Sequence, residues 1–276
     1  MSFTLIKGTF HAVGYSPDGD SIRFKASNIE NWSKLIGIPP QLNEFNHVQI
    51  RLIGIDSLET HFHQCKQSVK WALSAANFLL EYLEIDEVKW NQEKNIIVKA
   101  DDNIEGFILA KKTDQHGRPL AFVFKGKIDV IDGDIFFLPI ELFFKSVNYQ
   151  SLLYGESYPT YYRGLAPTLR RKMTLAVNQA RKEDRGVWKF DSTNKGFHVW
   201  DLFDEEKNIV ILPKLFRRLV SYLEINQELE GFKYSVVKSE KVLILPAQTK
   251  KLFRDIILQE EAIFKLSELP ENLVYL

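Results

Sequence analysis

RLIGIDSLET, residues 51–60, is an apolar strand with charge at both ends: Arg51 opens it, Asp56 closes it, and Glu59 follows just beyond. Counted from Val48 to Ile55, it is the third of three runs in the first quarter that mix aromatic and β-branched residues. The others are Thr4 to Val13 and Ser21 to Ala26. SPDGDS (16–21) is a turn signal between the first two. Residues 28–47, with Pro39-Pro40, leave the strand pattern and read as a long excursion.

Downstream, Val69, Ala72, Leu73, Ala76, Leu79, Leu80 and Leu83 recur at steps of three and four, which predicts an amphipathic helix over Ser68 to Leu83. Strands are expected at Val88 to Trp90, Ile96 to Lys99, Gly106 to Ala110 and Leu120 to Phe124. Helical stretches are expected near Pro139 to Val147 and from Pro167 to about Lys182, ahead of the Arg-Gly-Val-Trp stop at 185–188. This order predicts an α+β fold: a five-stranded OB-type β-barrel with packed helices, in a domain spanning 1–191.

STNKGF (192–197) reads as a linker to a small α/β C-terminal module, 192–276. There IVILP (209–213) with LFRRLV (215–220) echoes VLILP (242–246) with LFRDII (252–257). Each copy is expected to be a strand, a proline at a helix start and an amphipathic helix, the second longer by about one turn.

The 276 residues are 45% hydrophobic, ample for a folded core, and the 26% charged residues oppose wholesale disorder. Net charge is zero, against the positive excess usual in a nucleic-acid binder, although a neutral chain can carry a local basic patch. No stretch reaches the ~18 apolar residues of a membrane span, and the N-terminus lacks a signal-peptide pattern. Cys65 is the only cysteine. A cytoplasmic location without membrane contact is the expectation.

Three short segments carry chemistry: DGDS (18–21), RLIGIDSLET (51–60) and DQHGR (114–118). Hard divalent cations such as calcium take several oxygen ligands, usually more than one carboxylate. Asp20 at a turn exit and Asp56 at a strand end are candidates. Phosphodiester cleavage also needs charge stabilisation on the phosphorane oxygens and an activated water. Two arginines, several acids and no nucleophilic cysteine or serine suit metal-assisted phosphoryl transfer better than covalent catalysis. Arg51 and Asp56, five apart on one strand, point to opposite faces unless the strand bends. Taken singly, each segment is an ordinary turn or strand; DGD recurs at 132–134 with no companion.

In that order the three resemble the staphylococcal nuclease (thermonuclease) family: an acidic DGD turn, an Arg-strand-Asp-x-x-Glu-Thr segment, then D-x-x-G-R-x-L-A, here DQHGRPLAF (114–122). The likeness continues through YPTYYRGLAPTLRRKMTLAVNQARKEDRGVW (158–188) and covers about residues 4–188. It implies a calcium-dependent endonuclease. Asp20 and Asp56 would be the carboxylate ligands of calcium and Ser57 would lend its carbonyl. Glu59 would be the general base, and Arg51 and Arg118 the grips on the scissile phosphate. The family breaks the P–O5′ bond of DNA and RNA.

Departures are Leu58 for the family's proline, and Gln115 and His116 for its lysine and tyrosine. His116 and one of Tyr158, Tyr161 and Tyr162 are expected against substrate. Inserts lie near 28–47, 89–106 and 126–137. His61-x-His63-x-Cys65 lacks a fourth ligand and reads as a solvated loop, and Arg170-Arg171-Lys172 as an exposed helix face. The competing expectation is a non-catalytic nucleic-acid- or protein-binding module of the same fold. A further one is that 192–276 recruits a protein partner or plugs the groove.

Overall fold

In the computed structural model, which describes residues 2–60, 62–63, 65–226, 228–236 and 240–276, the strand Val48–Leu52 pairs antiparallel with Ser21–Ala26 and parallel with Pro119–Lys125. Ser21–Ala26 also pairs with Ser2–His11, which pairs with Ile104–Thr113, which returns to Pro119–Lys125. Five strands thus close into the expected OB-type barrel, and Ile135–Phe137 adds to the first strand outside the ring. Closure removes the edges that an open sheet of this size would expose.

Both faces of the barrel sheet carry buried aromatic rings. Phe10 and Phe24 are fully buried with ring centroids 5.0 Å apart, and on the opposite face of the sheet Phe122, also fully buried, meets Phe3 and, from the helix Ile140–Phe143, Phe143 edge-on with centroids 5.6 and 5.5 Å apart. Gly8, opposite Gly106, lets the first strand coil between two partners. A Cβ on Gly8 would lie 2.0 Å from the carbonyl oxygen of Lys25. The excursion 28–47 is tied down at Ile36, whose N–H donates to Lys111 O and whose carbonyl accepts from Thr113 N. The second DGD is structural: Asp132 Oδ1 accepts from Lys7 N and Asp134 O from Leu5 N.

The chain forms two compact units, Met1–Ile53 with Ala75–Ser151, and Gly54–Ser74 with Leu152–Leu276. The first contains the barrel. In it Asn148, fully buried, accepts from Val123 N and donates to the carbonyls of Ile53 and Ala121, fixing the strand at the point where it ends.

The second unit is built on a five-stranded sheet in the order Thr249–Leu252, Lys241–Ile244, Leu273–Tyr275, Tyr158–Tyr162, Gly54–Asp56. Residues 152–191 therefore share a unit with 192–276. A buried polar network holds them together: Asp191 accepts from Tyr158 Oη (2.7 Å), Thr193 N (3.0 Å) and Arg181 Nη1 (2.9 Å), and Arg181 Nη2 donates to Glu271 (2.9 Å). Thr193 is fully buried, so 192–197 is not the exposed linker its composition suggested.

Helices Val69–Tyr82 and Pro167–Lys182 lie within two residues of expectation. The 139–147 helix is instead two short ones, Ile140–Phe143 and Val147–Tyr154. The internal echo is not structural. The first copy gives helix Pro213–Asn226, whose Leu215, Phe216, Leu219 and Val220 are buried. In the second, Ile244 pairs with Thr249, so the intervening residues turn a hairpin, and the chain continues as a single 3-10 turn, Phe253–Ile256, into strand Ile257–Glu260. No helix among the described residues is long and apolar enough to cross a membrane.

Candidate functional site

On the barrel, all three motifs meet in one row. Ser21 stands opposite Arg51, and Arg51 opposite Leu120, across three adjacent strands. Asp20, 1% exposed, accepts from Arg51 Nη1 at 2.5 Å, and its carbonyl accepts from Leu52 N at 2.8 Å. The turn before Leu120 is organised by Asp114: Oδ1 accepts from the N–H groups of His116 and Arg118, both at 2.9 Å, and Oδ2 from Arg118 Nε at 2.8 Å.

Burial alone would raise the Asp114 carboxyl. The Arg118 and His116 N–H groups and the Arg118 guanidinium outweigh it and hold it below the usual carboxylate range. Arg118 is thereby aimed by its Nε, while its two terminal nitrogens donate to no described residue and its side chain stays about one-third exposed. A guanidinium held in this way presents a free two-donor fork to an anion. His116 is exposed beside Gln115.

In the second unit, Asp56 ends a separate strand. Gly54, at φ +81°, bends the chain out of the barrel strand, and a Cβ there would lie 2.7 Å from Met173 Cε. Asp56 stands opposite Tyr158 and is fully buried. Both its oxygens accept from Arg217, Oδ2 from Nη2 at 2.8 Å and Oδ1 from Nη1 at 3.2 Å. The same Nη1 donates to Glu59 Oε1.

Burial alone would lower the Arg217 pKa, but the Asp56 and Glu59 carboxylates outweigh it and raise it beyond the ordinary arginine value. Gln67, 4% exposed, secures the loop by accepting from Glu59 N and donating to the carbonyl of Ile211. Ser57 Oγ meets Ser157 Oγ at 3.0 Å, and Leu58, where the family carries proline, is buried.

Two of the three tyrosines are core residues. Tyr158 and Tyr161 are fully buried, with hydroxyls on Asp191 and Thr174, so neither presents a face to a substrate. Tyr162 is exposed and packs on Tyr275, with Lys214 beside both rings. His63 lies 3.4 Å from Glu224, and His61 falls outside the described residues. Arg171 and Lys172 are exposed on their helix, as expected.

Sequence reasoning missed Arg217. Its only signal was a basic pair, Arg217-Arg218, on an amphipathic helix, which is the ordinary pattern of a solvated face. The acids expected to hold calcium do not fit a resident divalent ion in this arrangement. Asp56 and Glu59 converge on one point, but a guanidinium nitrogen fills it, and Asp20 is spent on Arg51. No family model matches the chain, and no curated protein matches it.

Proposed function

We propose that the chain is a phosphodiesterase acting on nucleic acid, of the staphylococcal-nuclease type, with Arg51 and Arg118 as its grips on the scissile phosphate. The observation that carries this reading is the single row Ser21–Arg51–Leu120 on a closed OB-type barrel, which aligns motifs separated by some thirty to seventy residues of sequence. Arg118, aimed by Asp114 with its terminal nitrogens open, supplies a bidentate donor to phosphate oxygens. Arg51 supplies a second positive charge on the same row. Charge developing on the phosphorane is stabilised best by such pre-positioned donors, which need no reorganisation during reaction. Glu59 is the base of this reading, taking a proton from the attacking water when its carboxylate is not held by Arg217. Calcium, in the resemblance, supplies further charge neutralisation; no step is routed through it, because its acids are engaged.

That engagement favours a second reading, a binding module of the same fold that grips nucleic acid without cutting it. Single-stranded DNA incubated with the full chain and calcium, then with chelator, separates the two. Cleavage that chelation abolishes and that Glu59→Ala and Arg118→Ala each suppress supports the phosphodiesterase. Cleavage indifferent to both substitutions sinks it. Tight binding without cleavage under every divalent ion establishes the module.

A further inference from the structure

The net charge is zero, yet three cations share one face of the barrel sheet with no carboxylate to answer them. Alternation decides the face: Ile22, Phe24, Ile50 and Leu52 are buried on one side, so Arg23, Lys25, Gln49 and Arg51 stand on the other. Strand register extends that face sideways. Arg23 stands between His11 and Gln49, and Arg51 between Ser21 and Leu120, whose other neighbour is Lys112. Lys25 and Lys112 are exposed and Arg23 is half-buried. None of the three forms an ion pair with a described residue, and Arg23 instead lies over the Tyr15 ring, 5.0 Å from its centroid. The carboxylates around them are already answered: Asp20 accepts from Arg51, Asp114 from Arg118, Asp102 meets His11 and accepts from Ala12 N, and Glu105 meets Lys127.

We infer that this face is a track for a single strand of nucleic acid, with Arg23, Lys25 and Lys112 holding phosphates on either side of the one at Arg51. The inference rests on the phosphodiesterase reading for its occupant. Along its strand, Arg23 is ~7 Å and Lys25 ~14 Å beyond Ser21, the residue level with Arg51. Lys112 is two strands from Arg51 in the same row, ~10 Å away. An extended polyanion can meet such widely spaced charges together, and each phosphate neutralised releases condensed counterions. The cations run on from the row of Arg51 and from the turn where Arg118 holds its fork open, which favours a phosphate chain over an acidic protein. Ring faces border the track: Tyr15 beneath Arg23, and exposed Phe45 at the end of the excursion, both against His47. Bases of any sequence stack on such rings.

The experiment is fluorescence anisotropy of the full chain, in chelator, with a labelled single-stranded DNA of about a dozen nucleotides, titrated at several salt concentrations. Wild type is compared with Arg23→Gln combined with Lys25→Gln. The control for bulk charge is Lys145→Gln combined with Lys195→Gln, two exposed lysines outside the face. The first double variant is expected to bind about tenfold more weakly and to lose about 1.4 from the slope of log affinity against log salt, the value for two phosphates of a single strand. The control should keep both. An equal loss in the control, an unchanged slope in the first variant, or a wild type that binds no strand overturns the inference. Polyglutamate held as tightly as DNA assigns the face to an acidic protein and also overturns it. If loss of Arg23 unfolds the chain, Lys25→Gln and Lys112→Gln carry the same test, each with a slope change of about 0.7. Binding that weakens as expected, without cleavage under any divalent ion, removes the phosphodiesterase reading and leaves the track. Cleavage with binding indifferent to Arg23 and Lys25 does the reverse.

Discussion

Replacing Arg217 with leucine tests how much of the second unit depends on one guanidinium. The substitution keeps an aliphatic stem but removes three charge-assisted hydrogen bonds, two to Asp56 and one to Glu59. An exposed ion pair contributes ~0–1 kcal/mol, whereas breaking a buried pair costs ~3–5 kcal/mol. Here the carboxylate is wholly buried and the guanidinium three-quarters so, which places the pair toward the buried end. The expected loss is about 3 kcal/mol, a large share of the ~5–15 kcal/mol that holds a typical domain.

A double-mutant cycle with Asp56→Asn isolates the pair, because the neutral amide no longer needs a cation, and the coupling expected is about 2 kcal/mol. Urea unfolding followed by tryptophan fluorescence reads it, since Trp71, Trp188 and Trp200 all lie in the second unit. A loss below ~1 kcal/mol for Arg217→Leu, or additive effects across the cycle, would show that the contact is incidental and refute the argument.

Other outcomes follow from single contacts. Arg118→Ala should lower cleavage of single-stranded DNA by about 100-fold or more while leaving the melting temperature within ~2 °C, because only its Nε serves the turn. Gly54→Ala should cost ~1–3 kcal/mol by equilibrium unfolding, through the left-handed φ and the 2.7 Å approach to Met173. Arg181→Met should cost ~3 kcal/mol or more, since Asp191 and Glu271 are almost fully buried beneath it.

The barrel should weaken in mild acid through His47, which stacks on His11 at 3.8 Å and bonds Tyr15 Oη. Burial, helped by His11, Lys25 and Arg23 against Asp102, pushes its pKa down to about 4 from 6.5. The unfolded chain takes up a proton that the folded one refuses, so stability is full above pH 6.5 and falls as the pH drops toward about 4, by ~1–2 kcal/mol after solvent screening. His47→Gln should flatten that slope in pH-dependent unfolding.

Most of the barrel could be read in the sequence because its determinants are local. Alternation and punctuation mark its strands, SPDGDS marks one turn, and the apolar spacing from Val69 marks a helix that forms over Val69–Tyr82. The candidate residues on the barrel were legible for the same reason: Asp20 and Arg118 belong to turns whose geometry is written in a few adjacent residues. The C-terminal half was less legible. LFRDII carries an amphipathic helical pattern, yet a hairpin pairing at Ile244–Thr249 commits the chain that precedes it to strand, and long-range pairing overrode local propensity. Tyr158 and Tyr161 are exposed or buried according to which strands flank them, and Leu273–Tyr275, more than a hundred residues away, is one of those.

The sequence by itself determined the strands and turns of a five-stranded barrel and the order of three charged motifs, because period, turn chemistry and charge at strand ends act over a few residues, whereas the row that aligns the motifs came from strand pairing. Only the tertiary structure decided what Asp56 and Glu59 hold. Their partner lies some 160 positions along the chain, on a helix face that looks solvated in one dimension. Nothing short of folding reveals that a buried carboxylate with a charge to satisfy has drawn Arg217 out of solvent.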